Sequence, residues 1–183
     1  VLFRFGMTSD LAGTVYRIAP GRAAIESWSA LEQDKVTLIA GNDAEPGRKN
    51  ASGADARFRN IDSLCYDKSR DVLVVLDDGG EKGDHVVRVV AHPGKENNVE
   101  SLAGNTAGYN DAVGADAQFG PFNGVACDGK GSAFVNDLRK GTIRRVSLDT
   151  TEVKTVAGQL GQNGVILGSP GRLSTPVSSF VLP

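Results

Sequence analysis

Two six-residue stretches decide the fold: Gly53-Ala54-Asp55-Ala56-Arg57-Phe58 and Gly114-Ala115-Asp116-Ala117-Gln118-Phe119. They differ only at Arg57 and Gln118, and 61 residues separate Gly53 from Gly114. A shorter signature keeps phase with them. It is an apolar residue, Ala and Gly, at Ile39-Ala40-Gly41, Leu102-Ala103-Gly104 and Val156-Ala157-Gly158. The steps between its glycines are 63 and 54 residues. A third small-residue run, Gly168 to Leu173 (GSPGRL), follows the last Ala-Gly in the same phase. Two markers that hold register over such periods identify a repeat architecture, so the rest of the chain is read unit by unit.

Working outward, each unit is a series of short β-rich runs separated by turn residues. The third unit reads Val125-Ala126-Cys127-Asp128, Ala133 to Asp137, Thr142 to Val146 and Val153 to Ala157. The second reads Leu64 to Asp67, Val72 to Asp77, Val86 to Val90 and Val99 to Ala103. Four strands per unit is the count of a β-propeller blade. The first unit carries Leu2 to Phe5 and Gly13 to Ile18 as second and third strands, with Val36 to Ala40 as the fourth. Between them lies Pro20 to Lys35, where Ile25, Trp28 and Leu31 recur at helical spacing, so an insertion with a short amphipathic helix is expected there.

These motifs resemble the NHL repeat family. The best copy spans Leu102 to Gly158 and contains GYNDAVGADAQF (Gly108 to Phe119), VACD, AFVND and TIRRV. Two turns depart from the pattern: Pro121-Phe122-Asn123-Gly124 is one residue longer than the Pro-x-Gly of the family, and Asn60 to Ser63 replaces it in the second unit. The resemblance implies an all-β fold, a β-propeller of NHL-type four-stranded blades. About three blades lie in this chain, an open arc or half of a six-bladed ring. The units run over residues 1–41, 42–104 and 105–158, with 159–183 starting the next blade. Gly53, Ala56, Phe58, Gly114, Ala117 and Phe119 are read as structural repeat residues of the crossovers, and Arg88 and Arg145, matched by Arg17, as recurring third-strand residues. Asp77 and Asp137 end the second strands, where a carboxylate accepts turn N–H groups.

An arc of three blades leaves a sheet face bare at each end, and large bare apolar faces rarely persist. The expected partners are therefore a second copy, forming a homodimer in which Val177 to Leu182 completes the first blade of the other chain, or missing blades of the same longer chain.

Composition narrows function. The 183 residues carry a net charge of −2, which argues against a generic nucleic-acid surface. No run of apolar residues is long enough for a membrane-spanning helix. Cys65 and Cys127 do not make a disulfide framework and are read as small buried side chains. His85 and His92 lie near Asp77, Asp78 and Asp84, but no metal-ligand motif recurs, so they are read as solvated loop residues. Asp55 and Asp116 are read as turn caps in preference to Ca²⁺ ligands, and Asn50-Ala51-Ser52 has the form of a glycosylation acceptor. No catalytic, cofactor or metal residues are assigned, and no nucleophile elbow or P-loop occurs. The expectation is a non-catalytic binding or scaffolding domain that meets protein partners through loops of one face. Its candidate contact residues are Arg57, Arg59, Asp77, Asp78, Asn110, Asp111, Gln118, Asp137 and Arg139. The alternatives are a metal-assisted hydrolase or lyase at the channel, and RNA binding through basic loops around Arg48, Lys49, Arg57 and Arg59 or around Arg139, Lys140, Arg144 and Arg145.

Overall fold

The structure, a computed structural model, describes residues 6–29, 35–79, 83–137 and 141–158. It is all-β, and no α-helix occurs among these residues. Sheet I contains β1 (Met7–Ser9), β2 (Thr14–Ile18), β3 (Ala24–Ser29) and β4 (Thr37–Gly41), each antiparallel to the next. A two-residue strand, β5 (Ala51–Ser52), opens sheet II, which continues with β6 (Ile61–Asp67), β7 (Val72–Asp77), β8 (Val86–Ala91) and β9 (Asn98–Ala103). There β5 adds to the outer side of β9, giving the order β5-β9-β8-β7-β6. Sheet III holds β10 (Phe122–Cys127), β11 (Ser132–Asp137), β12 (Thr142–Ser147) and β13 (Val153–Gly158).

Sheet I corrects the strand reading. Ala24–Ser29 is a strand, not a helix: Ile25 pairs with Ile18 and Trp28 with Val15. The spacing of Ile25 and Trp28 suits a helix, but they point to opposite faces of the sheet, as residues three apart in a strand must. Leu31 and the expected strand Leu2 to Phe5 lie outside the described residues, as do GSPGRL and Val177 to Leu182. Met7–Ser9 already occupies the position that Val177 to Leu182 was expected to fill, so sheet I needs no borrowed strand.

The first strands gather edge to edge, with β6 between β1 and β10. Two apolar layers result. Tyr16, Ile18, Ile25 and Ile39 of sheet I meet Leu64, Leu73, Val75, Val90 and Val99 of sheet II. On its other face sheet II offers Cys65, Val74, Leu76 and Val87 to Ala133, Val135, Val146 and Val153 of sheet III. Each layer is closed by the ring at the end of a crossover loop, Phe58 or Phe119, both fully buried beside buried Ala56 and Ala117.

The Ala-Gly signature has a common geometry. Pairing slips at Ile25/Glu26, Val87/Arg88 and Ile143/Arg144, which makes Ile39, Leu102 and Val156 the extra residues of β-bulges on the fourth strands. The glycine after the following Ala then adopts φ of +94° at Gly41, +89° at Gly104 and +86° at Gly158. A Cβ at Gly104 would stand 2.4 Å from the His85 carbonyl oxygen and 2.9 Å from the Phe119 ring, so the chain turns toward the crossover only with glycine there.

The same bulge register defines the recurring arginine. Arg88 aligns with Arg144, and both are fully buried. Arg145 points away, is exposed, and bonds Ser132 Oγ at 3.0 Å. The match of Arg88 with Arg145 is therefore displaced by one residue: Arg88 and Arg144 are each the third residue of their strand and pair with Val75 and Val135 of the second strands. Sheet I has Glu26 at this register, paired with Arg17 at 2.7 Å, so Arg17 of the second strand belongs to a different set.

Arg88 donates to the carbonyls of Arg57 (2.5 Å) and Lys49 (3.0 Å) and to Asn50 Oδ1 (2.8 Å), with its guanidinium 4.7 Å from the centre of the Phe58 ring. Arg144 repeats the set with the carbonyls of Gln118 (3.0 Å) and Asn110 (2.9 Å), with Asp111 Oδ1 (2.9 Å), and 5.1 Å from the Phe119 ring centre. Each arginine thus pins the loop that arrives from the preceding sheet. The carboxylates at the ends of β7 and β11 complete the join: Asp77 accepts the N–H groups of Arg59 and Asn60, and Asp137 accepts that of Gly120.

The cysteines form a disulfide, which overturns their reading as two independent small side chains. Cys65 on β6 and Cys127 on β10 are bonded, with their Cα atoms 5.7 Å apart. They are 62 residues apart in the chain, and only the edge-to-edge approach of the two first strands brings them together.

Candidate functional site

The antiparallel order places the β1–β2, β6–β7 and β8–β9 turns at one end of the sheets, and the ends of the crossovers, where they enter β6 and β10, at the other. A cleft of about 590 Å³ opens at the turn end, between sheets I and II. Its residues come from all three turns and from strands β2, β3 and β6.

Asp10 builds the first wall. Its Oδ1 accepts the N–H groups of Ala12 and Thr14, both at 2.9 Å, which fixes the β1–β2 turn. Its Oδ2 then accepts the Tyr16 hydroxyl at 3.3 Å. The same hydroxyl lies 3.4 Å from the Pro93 carbonyl oxygen, so Tyr16 spans the two sheets. Burial, followed by the Asp10 charge, raises the Tyr16 pKa well above the ordinary phenol value.

Tyr66, on β6, faces Tyr16 with ring centres 6.2 Å apart and planes inclined by 21°. Its hydroxyl donates to Asp71 Oδ1 at 2.8 Å. Burial and this bond push its pKa up to about 12. Asp71 also meets His92 Nδ1 at 3.2 Å and Lys95 Nζ at 3.4 Å through its Oδ2. Burial opposes ionisation of Asp71, but the hydrogen bonds from Tyr66, His92 and Lys95 outweigh it and hold its carboxyl below the usual range. Asp71 and His92 adopt left-handed φ values of +50° and +44°, and the His92 N–H donates to the Asp71 carbonyl at 2.9 Å. Leu11, Thr14, Ser27, Lys68 and Gly94 complete the lining.

A second polar cluster sits at the crossover end, against the first strands. Asp62 is the extra residue of a bulge in β6, and Asn123 is its counterpart in β10. The Arg22 guanidinium pairs with Asp62 and donates to the Ile61 carbonyl at 2.9 Å. Burial and the neighbouring Asp78 charge raise the Asp62 pKa to about 6, against the pull of Arg22. His85 Nδ1 lies 2.9 Å from Asp78 Oδ1, and its ring meets Phe122 edge-on at 5.4 Å. His85 is buried, contrary to the reading of a solvated loop histidine, whereas His92 is half-exposed. Among the described residues no group of three His, Cys, Asp or Glu side chains is arranged to hold a metal ion.

Among the loop residues nominated from sequence, the structure engages most of the described ones internally. Arg57 bonds the carbonyls of Ala54 and Ala56 and pairs with Glu45 at 2.6 Å. Arg59 reaches Asp84 at 2.6 Å, and Arg48 meets the same carboxylate at 3.0 Å, so this basic stretch is largely neutralised. Asp77, Asn110, Asp111 and Asp137 serve the arginine pins and crossover joins, and Gln118 donates to Thr106 at 3.1 Å. Asp55 and Asp116 are exposed in short 3-10 turns. Arg139 and Lys140 fall outside the described residues. The sequence reading passed over Asp10, Tyr16, Tyr66 and Asp71. Two of the chain's three tyrosines stand here, a signal that becomes visible only when neighbouring units are laid side by side.

No family model matches the chain, and no curated protein matches it. Solved structures do. One is a structural genomics protein of unknown function from Bacteroides thetaiotaomicron VPI-5482, with a TM-score of 0.72 and 19% identity over 96% of this chain and 41% of that one. Two others are auxiliary nutrient binding proteins. The one from Bacteroides thetaiotaomicron VPI-5482 has a TM-score of 0.67 at 12% identity over 93% of this chain and 40% of its own. The one from Bacteroides ovatus ATCC 8483 has a TM-score of 0.64 at 15% identity over 94% and 42%. The shared property is the fold. The chain spans about two-fifths of the length of each of these proteins. Among the described residues no helix is long and apolar enough to cross a membrane.

Proposed function

We propose that this chain is a non-catalytic binding module whose three sheets are consecutive NHL-type blades of a β-propeller, and that a small polar ligand occupies the cleft between the first two. The repeated arginine pins, the repeated crossover loops and the gathering of β1, β6 and β10 support the propeller reading. The much longer fold relatives are in keeping with an arc that other blades complete, whether from a longer chain or a second copy.

The cleft is the observation that carries the binding reading. It is lined by aromatic and hydrogen-bonding groups from three turns, and its key side chains are already held in place. Preorganised, part-apolar cavities of this size suit small molecules. Protein binding through the crossover loops has less support, because most side chains nominated for it are committed internally. Two fold relatives being described as auxiliary nutrient binding proteins favours binding over turnover. The Cys65–Cys127 bond favours an oxidising compartment, where such bonds persist.

Ligand screening by saturation-transfer NMR tests this reading. A ligand is expected whose binding is lost in Tyr66→Ala and retained in Lys154→Ala. Ligands that protect only the crossover loops, or bind Tyr66→Ala unchanged, would overturn it.

A further inference from the structure

The cleft has a chemistry specific enough to name its ligand class. We infer that it takes a neutral polyhydroxylated ligand, a short saccharide, an inference that rests on the cleft being the binding site.

Charge is the first argument. Asp10 and Asp71 face Lys68 and Lys95, so the lining carries balanced charge, and Asp71 is already paired with Lys95. A site for phosphate or a carboxylate ligand needs a surplus of positive charge, and a site for an organic cation needs the reverse. This cleft has neither.

The hydrogen-bonding pattern is the second. An ionised carboxylate has about four acceptor positions. Asp10 receives Ala12 N, Thr14 N and the Tyr16 hydroxyl, and Asp71 receives Tyr66, His92 and Lys95, which leaves acceptor capacity on each. The Lys68 ammonium supplies donors, while Thr14 and Ser27 supply hydroxyls that both donate and accept. Mixed, closely set donors and acceptors match vicinal hydroxyl groups, each of which gives one hydrogen bond and accepts others.

The third is shape and surface. Tyr66 is half-buried in the lining, and a tyrosine presents an apolar body with a polar tip, as a sugar ring presents C–H faces with a hydroxyl rim. A volume of 590 Å³ lies within the range of small-molecule sites and admits more than one sugar ring.

The test uses saturation-transfer and chemical-shift NMR on the intact chain. The probes are maltotriose, cellotriose, mannotriose and xylotriose, with trigalacturonic acid, chitosan trimer, a tripeptide and adenosine monophosphate as charged comparisons. At least one neutral trisaccharide should shift Tyr16 and Tyr66 resonances, with affinity changing less than twofold between low and high salt. Tyr66→Ala should weaken it at least tenfold. Tyr66→Phe, which keeps the ring and loses the hydroxyl, should weaken it less, and Lys154→Ala should match the parent. If only a charged probe binds at Tyr16 and Tyr66, the saccharide class is wrong while the binding cleft stands. If a neutral probe binds Tyr66→Ala as tightly as the parent, or no probe perturbs the cleft, the saccharide assignment and the cleft reading fall together.

Discussion

Reducing the Cys65–Cys127 bond isolates one energetic term of this fold. The bond closes a loop of 62 residues between sheets II and III. Loop closure of that length removes roughly 14 cal/mol/K of entropy from the unfolded chain, worth about 4 kcal/mol at 25 °C. The sulfurs join two strand edges that already lie side by side, so the folded state keeps its other contacts when the bond opens. With a urea m-value of about 2 kcal/mol/M, the unfolding midpoint should fall by about 2 M. The measurement compares oxidised chain, reduced chain and the Cys65→Ala/Cys127→Ala variant by tryptophan fluorescence, Trp28 being the one indole, and by far-UV circular dichroism. Thiol labelling before and after reduction establishes each state. Equal midpoints in all three would refute the loop-closure argument, and rapid labelling of both cysteines in the folded, untreated chain would refute the pairing itself.

Arg88→Met should destabilise by roughly 3 kcal/mol, because it leaves two loop carbonyls without their donor and takes from buried Asp77 one of its two cations, Arg48 remaining at 3.6 Å, whereas Arg145→Met should change stability by about 0.5 kcal/mol or less. Calorimetry on the two variants separates these registers, and equal losses would show the alignment to be wrong. Gly104→Ala places a methyl against the His85 carbonyl in a left-handed backbone, and a loss of only about 1 kcal/mol in denaturant titration would mean the turn relaxes freely. Asp62 holds its proton more tightly in the folded chain, at about 6 against the ordinary 3.8. Its stabilising contribution is therefore complete below about pH 4 and is lost as the pH rises through 6. Asp62→Asn, which copies Asn123 of sheet III, should flatten that slope and stabilise the chain at pH 7 by on the order of 2 kcal/mol, read from denaturation midpoints at several pH values. A slope that is unchanged in the variant assigns the titration elsewhere.

The sequence made sheets II and III legible because two signatures kept phase. GAD loops and Ala-Gly turns are local, and glycine with positive φ leaves a mark that survives drift in the other residues. Sheet I was harder to read. Ala24–Ser29 lacks the Arg of β8 and β12, and Ile25 and Trp28 mimic a helical stripe although one faces sheet II and the other faces away. The arginine register slipped because Arg144 and Arg145 stand side by side in β12, and the pairing with β11 decides which of them takes the place of Arg88. The disulfide and the Tyr16–Tyr66 cleft were invisible for a different reason. Both arise where separate units meet, between residues about 50 to 60 apart in the chain that no local pattern connects.

Arg88 and Arg144 hold their loops largely through main-chain oxygens, and at Arg57 and Gln118 they use only the carbonyl. An anchor that recognises a peptide group is indifferent to what that residue carries outward. The position after Ala56 and Ala117 is thus a socket: a cation stands there in one unit and an amide in the next, each with its own local partners, in front of the same clasp. Such a chassis allows the exterior of the crossovers to be rewritten by cassette exchange, one unit at a time, while the interior stays constant.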